Sequence, residues 1–278
     1  MTGTAGRVVA LKRYPVKSML GETPQRIRVG PTGVEGDRRY ALIDEETGRV
    51  ATAKHPRRWS ALLQCASSTE EDGSVAVTLP DGRRMPVTEV GAPLSEMLGR
   101  TVHVADERAA GAILERSDPL EVLEHGIDAE FDPVLLELGQ GAPGGAFVDH
   151  SPVHLITTAT LDAIGVGLDE ALRYRPNVII EMADDTEPFV ENAWVGSEIA
   201  LGEITLRVTL TTPRCAVPTL KHGDTARLPD AVRYLLDHNR VEVPGSGKLP
   251  CAGVYAEVVA TGAISTGDEV RVGPPQQR

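Results

Sequence analysis

Aromatic residues are scarce in this 278-residue sequence: two Trp, five Tyr and three Phe make up 4%. Single-stranded nucleic acid is usually bound on platforms of such rings, so that function is disfavoured. Basic residues are also in deficit, with 28 Lys and Arg against 40 Asp and Glu and a net charge of −12. An acidic surface repels phosphate backbones and anionic headgroups, so neither nucleic acid nor a membrane is an expected partner. No run approaches the ~20 apolar residues that span a bilayer. Only three cysteines occur, Cys65, Cys215 and Cys251, an odd number with no Cys-x-x-Cys pair. That pattern argues against a disulfide framework and for a reducing compartment. The segment MTGTAGRVV has no charged lead before an apolar stretch, so no secretory signal is read there and a cytoplasmic location is expected. A Gly-x-x-x-x-Gly-Lys phosphate loop and a Gly-x-Ser-x-Gly elbow are missing too, and neither a nucleoside triphosphate site nor a serine hydrolase is indicated.

What is present reads mainly as strands. RVVALKRYPV, QRIRV, RRYALID, RVATA, VAVTL and VHVAD are rich in β-formers and separated by Gly, Pro and Asp signals. RRYALID and RVATA, joined by EETG, predict a hairpin with a four-residue loop. Helix is expected only over HPRRWSALL and APLSEMLG in this half. Residues 106–146 carry acidic runs and then GQGAPGG, which predicts a linker or irregular segment. Beyond it, SPVHLIT reads as a strand and TATLDAI as a short helix followed by a second turn. NVIIEM, ITLRVTLTT and GVYAEVVATG read as strands, and AVRYLLDH as a helix. The expected class is α+β, mainly β and barrel-like, divided at 1–105, 106–146 and 147–278.

Several residues are candidates for chemistry. Cys215 lies in TTPRCAVPT beside Arg214, between Pro213 and Pro218. A cysteine in a rigid, electropositive loop suits a nucleophile or metal ligand, whereas a buried free cysteine is only a small hydrophobe. Cys65, in a strand, and Cys251, in a Gly/Pro loop, are weaker candidates. Lys17, Ser18 and Arg38 could form a phosphate clamp from two loops, or remain solvated loop charges. Asp37 would orient Arg38 or cap its own turn. Arg175 precedes Pro176, which should hold it extended at the start of a strand, where it is either an anion contact or a surface charge. His150 and His154 are spaced like a helical zinc pair, but their segment reads as a strand and no third ligand is evident, so zinc is not expected.

These segments, in this order, resemble the MOSC family with its N-terminal β-barrel domain. That group contains the mitochondrial amidoxime-reducing component and its bacterial relatives. The resemblance is carried by YPVKS, GVEGDRRYALID, VATAKHPR, SPVHLIT, RYRPNVII, FVENAWVGSEIALG, TPRCAVPT and GVYAEVVATGAISTGDEV, over most of the chain. It implies a molybdenum cofactor, Mo-molybdopterin, with Cys215 as both the catalytic residue and the ligand of molybdenum. It further implies cofactor contacts from Lys17, Ser18, Arg38, His150, Ser151, Arg175, Asn177 and Tyr255. Pyridoxal phosphate and nicotinamide are not indicated. The implied activity is reduction of small N-oxygenated substrates with electrons from a separate donor protein. Cofactor carriage and persulfide sulfur transfer are the alternatives. Two departures stand out: Pro213 replaces a small polar residue and so removes a hydroxyl and a backbone N–H, and His150 replaces a smaller residue.

Overall fold

The computed structural model describes residues 4–130 and 132–275. The first three residues of the MTGTAGRVV segment lie outside that range. The largest element is a closed barrel of seven strands. In order around it run Val153–Thr157, Val178–Glu181, Thr4–Leu11, Glu269–Pro275, Ser197–Leu201, Ile204–Pro213 and Gly247–Ala260, with the last pairing back onto the first. Arg240–Val243 extends the end of the Gly247–Ala260 strand. Alternation explains the closure. Along Ile204–Pro213, Ile204, Leu206 and Val208 point inward while Thr205, Arg207 and Thr209 face out. The interior is mainly aliphatic, built on residues such as Val8, Leu155, Ile180, Leu206, Val254 and Ile264, with Trp194 among them.

One barrel pair is parallel, Val153–Thr157 with Val178–Glu181, and a parallel pair needs a crossover. The Thr158–Ile164 helix supplies it. Thr157 Oγ1 accepts from Thr160 N at 3.2 Å to cap its start, and Gly165 closes it in the left-handed conformation. The expected second turn follows at Glu170–Tyr174.

The N-terminal half has its own core around Trp59, Leu62, Val77 and Leu94. It is assembled from short paired strands, Ala41–Asp44 with Val102–Ala105 and Ala66–Thr69 with Val75–Thr78 and Arg84–Pro86. Its first strand nonetheless belongs to the seven-stranded barrel, and Arg26–Gly30 pairs with Gly262–Ser265 near the other end of the chain. The two halves are therefore interleaved rather than strung in series.

Three expectations are corrected. Residues 106–146 are not irregular throughout: Ile113–Arg116 pairs with Val134–Glu137, and the Pro119–His125 helix lies between them, capped by Asp118. The acidic runs mask alternation here, and only the later glycines break structure. Cys251 sits in the middle of a long barrel strand, because strand pairing with Arg240–Val243 and Ile204–Pro213 overrides the Gly and Pro around it. RVATA forms no continuous strand, although Val50 bridges Ile43 and closes the predicted turn.

Candidate functional site

A cavity of about 300 Å³ opens where the two halves meet. Its walls come from the Tyr14–Ser18 and Gly36–Tyr40 loops, the Thr52–Lys54 loop, the Ile113–Arg116 and Val134–Glu137 pair, and one end of the barrel. In a chain of net charge −12, the lining carries seven basic side chains (Lys17, Arg38, Lys54, Arg116, Arg173, Arg175, Arg214) and two acidic ones (Glu137, Asp149). Positive groups gathered against the overall field point to an anionic occupant.

The first two loops are interlocked by backbone bonds, Arg38 N to Tyr14 O at 2.7 Å, Tyr40 N to Pro15 O at 3.0 Å and Lys17 N to Tyr40 O at 2.8 Å. Asp37 holds Arg38, as expected, and in place of capping its own turn it ties that turn to the Tyr14 loop. One carboxylate oxygen accepts from Tyr14 N at 2.8 Å and the other pairs with the Arg38 guanidinium. Ser18, Arg38 and Arg175 all have positive φ, at 63°, 46° and 53°; among the described residues Phe189 is the only other non-glycine that does. Backbone strain of this kind persists where the surroundings over-determine it, and it clusters at binding sites. Arg175 thereby departs from the extended conformation that its following proline favours. Its carbonyl accepts from Arg38 Nη2 at 3.0 Å, and its own Nη1 donates to Met19 O. The guanidinium groups of Arg38 and Arg175 both lie against the Tyr14 ring, at 4.8 and 4.3 Å from its centroid. Burial, and then the Arg38 charge, push the Arg175 guanidinium down to about 10. Arg175 Nη2 and Tyr14 Oη are buried without a hydrogen-bond partner. Of the two, Arg175 belongs to the cavity wall, and an orphaned donor in a positive cavity is what an anionic ligand would satisfy.

Lys17 donates to Phe147 O at 2.8 Å and to Asp149 at 2.6 Å, and Lys54 reaches the other Asp149 oxygen at 3.1 Å. Burial pulls Lys17 down to about 8 despite the opposing pull of Asp149. For Asp149, burial acts upward, but the two ammonium groups outweigh it and hold the carboxyl well below the usual range. Ser18 Oγ accepts from Ala53 N at 3.1 Å, tying the first loop to the Thr52–Lys54 loop.

Cys215 lines this cavity, half-buried, with its other side against the seam of Ala53, Leu63, Val217 and Leu220 that joins the halves. The register of the preceding strand slips between Thr211 and Pro213, which turns the chain there toward the cavity. Arg214 is not a free charge beside the thiol. It is buried, donating to Tyr174 O at 2.9 Å and to Ala252 O, with Nη2 facing His154 Nε2. Burial, and then Arg214, push the His154 imidazole well below its ordinary value, so it stays neutral and accepts that bond. Arg173 likewise holds the loop after Cys215, through Pro218 O and Leu220 O. The other two thiols differ: Cys65 and Cys251 are both completely buried, and burial pushes Cys65 up to about 12.

The cavity thus brings together Lys17, Ser18, Arg38, His150, Arg175, Cys215 and Tyr255. His150 stacks on Tyr255, with ring centroids 5.7 Å apart, and its Nδ1 lies 2.8 Å from Ser151 Oγ. Two expected contacts lie behind the wall. Ser151 supports His150 from outside the lining. Asn177 is buried and accepts from His154 N at 3.1 Å, which stitches two barrel strands together. Lys54, Asp149 and Arg116 line the cavity without having been singled out. Lys54 lies inside VATAKHPR and Asp149 just ahead of SPVHLIT, but Arg116 carries no sequence signal, because acidic residues, glycines and prolines surround its strand.

Family models match the chain in two stretches, the MOSC N-terminal beta barrel domain over residues 5–112 and the MOSC domain over residues 143–271. Among curated proteins, mitochondrial amidoxime reducing component 2 of Rattus norvegicus is 30% identical over 134 residues, covering 45% of this chain but only 38% of the rat protein. Mitochondrial amidoxime-reducing component 1 of Danio rerio is 24% identical over 287 residues, covering 95% of this chain and 84% of that protein. Among solved structures, the YUAD protein from Bacillus subtilis aligns over 99% of this chain and 100% of its own, at 12% identity and a TM-score of 0.46. No helix among the described residues is long and apolar enough to cross a membrane.

Proposed function

Since the chain belongs to the MOSC family, with a MOSC N-terminal β-barrel domain ahead of its MOSC domain, we propose that it binds the molybdenum cofactor and reduces N-hydroxylated compounds. The observation that carries this reading is the convergence of one accessible thiol, Cys215, with Lys17, Ser18, Arg38 and Arg175 around a single cavity. The residues suit the group. A thiolate is a soft ligand for molybdenum, and a buried donor in the cavity wall, Arg175 Nη2, has no partner of its own. An amidoxime taking two electrons and two protons yields an amidine and water.

The bound cofactor would supply the two-electron redox centre. The chain's own side chains supply the rest. Arg38 and Arg175, preset by strained backbone and by the Tyr14 ring between them, would grip the anionic pterin phosphate. Lys17 and Ser18 would add an ammonium and a hydroxyl. Asp149 keeps the ammonium groups of Lys17 and Lys54 in place. The Lys17 ammonium, near 8, holds a proton at Nζ beside the cavity at neutral pH. His150, kept neutral by burial and then by Lys54, presents an uncharged ring stacked on Tyr255. A separate donor protein would deliver electrons. A cytoplasmic setting, where thiols stay reduced, suits a free thiolate ligand.

Protein produced in a cofactor-competent host should reduce benzamidoxime to benzamidine with dithionite-reduced methyl viologen. Bound cofactor without turnover of any N-oxygenated compound would make the chain a carrier instead. A persulfide on Cys215, seen as one added sulfur in its peptide mass, would point to sulfur transfer.

A further inference from the structure

We infer that Arg116 makes the substrate half of the cavity selective for N-hydroxylated compounds bearing a carboxylate or similar anionic group. This deepens the reductase reading and rests on it. The basic groups of the lining fall into two sets. Arg38 is neutralised by Asp37 and Arg173 by Glu170, Arg214 is occupied by carbonyls and His154, and Lys17 and Lys54 share Asp149. Arg175 faces the clamp already assigned to the cofactor. Arg116 alone remains: among the described residues its side chain makes no hydrogen bond and no ion pair, not even with Glu137 in the same wall.

The strand that carries Arg116 is nevertheless held firmly. Glu115, pointing to the opposite face of the same strand, is buried and bridges Arg49 at 2.5 Å and Arg58 at 2.7 Å. Ile113 O accepts from Val50 N, and Ser117 N donates to Lys54 O at 2.9 Å, which fixes the strand against the Lys54 loop. The Arg116 charge is close enough to oppose protonation of Lys54. Lys17, Lys54 and Arg116 therefore face one cavity in which Asp149 pairs with the two lysines and Arg116 is left without a carboxylate among the described residues. A planar guanidinium without a partner at a cavity wall is a ready bidentate receptor for a carboxylate. Arg116 lines the cavity from the Ile113–Arg116 strand, a different wall element from the loops that carry Lys17, Ser18, Arg38 and Arg175.

The test compares 4-carboxybenzamidoxime with benzamidoxime as substrates of the cofactor-loaded protein. A second readout, independent of turnover, is calorimetric binding of 4-carboxybenzamidine against benzamidine. Wild type should favour the carboxylated compound in both by about tenfold, the size of one partly desolvated ion pair. Arg116→Ala should erase the preference, Arg116→Glu should reverse it, and Arg116→Lys should keep part of it, all with molybdenum and pterin contents at the wild-type level. An unchanged preference in Arg116→Ala overturns the inference. So does loss of cofactor in that variant, which would make Arg116 part of the cofactor clamp. If neither compound is reduced but the binding preference still vanishes with Arg116, the anion site stands and the reductase reading falls.

Discussion

The barrel interior and the cavity at its end are built from the same strands and differ in almost every property. Inside the barrel the side chains are apolar, uncharged and buried. In the cavity, basic groups outnumber acidic ones and three residues carry strained backbone. The two-residue period of a strand separates them. On the Gly247–Ala260 strand, Val254 and Ala256 enter the core while Tyr255 between them faces the cavity. On the Val153–Thr157 strand, Leu155 goes in and His154 goes to the site. Stability and chemistry thus occupy opposite faces of common strands, and a change on one face should leave the other intact unless it moves the backbone.

Gly253 is where that separation should break. It has φ of +74°, and a Cβ there would lie 2.4 Å from Leu155 O and 2.5 Å from His154 Nε2. Gly253→Ala should lower the urea-derived unfolding free energy by about 3 kcal/mol, through backbone strain and the forced separation of two strands, and should disturb the site as well. Asp149→Asn comes next. It leaves Lys17 buried without a counter-charge, and a loss of about 2 kcal/mol is expected, discounted because Asp149 keeps partial solvent contact. Cys65→Ala, inside the N-terminal core, should cost about 1–2 kcal/mol in thermal or urea unfolding while leaving cofactor content unchanged.

The smallest effect expected is a pH dependence confined to the cavity. Lys17 titrates near 8 in the folded chain, below the value of about 10.4 for a free lysine side chain. A depressed lysine is charged below its folded value and neutral above it, so its hold on an anion is complete below pH 8 and fades as pH rises through 8. Inorganic phosphate bound to cofactor-free protein should weaken a few-fold between about pH 7 and 9, by calorimetry. Lys17→Met should bind more weakly and show a flatter profile. An equally steep profile in that variant would remove Lys17 from the anion site.

Much of the fold was legible in the residues. The barrel strands announce themselves by runs of β-formers, and the short helix read over TATLDAI forms at Thr158–Ile164. The loops bearing Lys17, Ser18, Arg38 and Cys215 stood out as basic or Pro-bounded segments, but their meeting in one cavity depends on interlocked backbone bonds between distant segments. Local sequence could not show that Asn177 turns into the barrel wall, because a buried and an exposed asparagine look alike before the tertiary partners are known. Nor could it show Arg116, whose strand is written in a segment rich in Gly, Pro and acids. Arg175 illustrates the converse: its following proline favours extended backbone, and tertiary contacts through Arg38 and Met19 override that preference.

The measurement closest to the centre of this account is molybdenum per chain, by mass spectrometry of the element, in wild type and in Cys215→Ala made side by side in a cofactor-competent host. The Cys215 side chain is half-buried at a cavity wall, so the variant should fold with nearly unchanged stability and carry little or no metal. Near-stoichiometric molybdenum in wild type, lost in the variant, is the expected result. Equal metal in both proteins, or none in wild type, would contradict it.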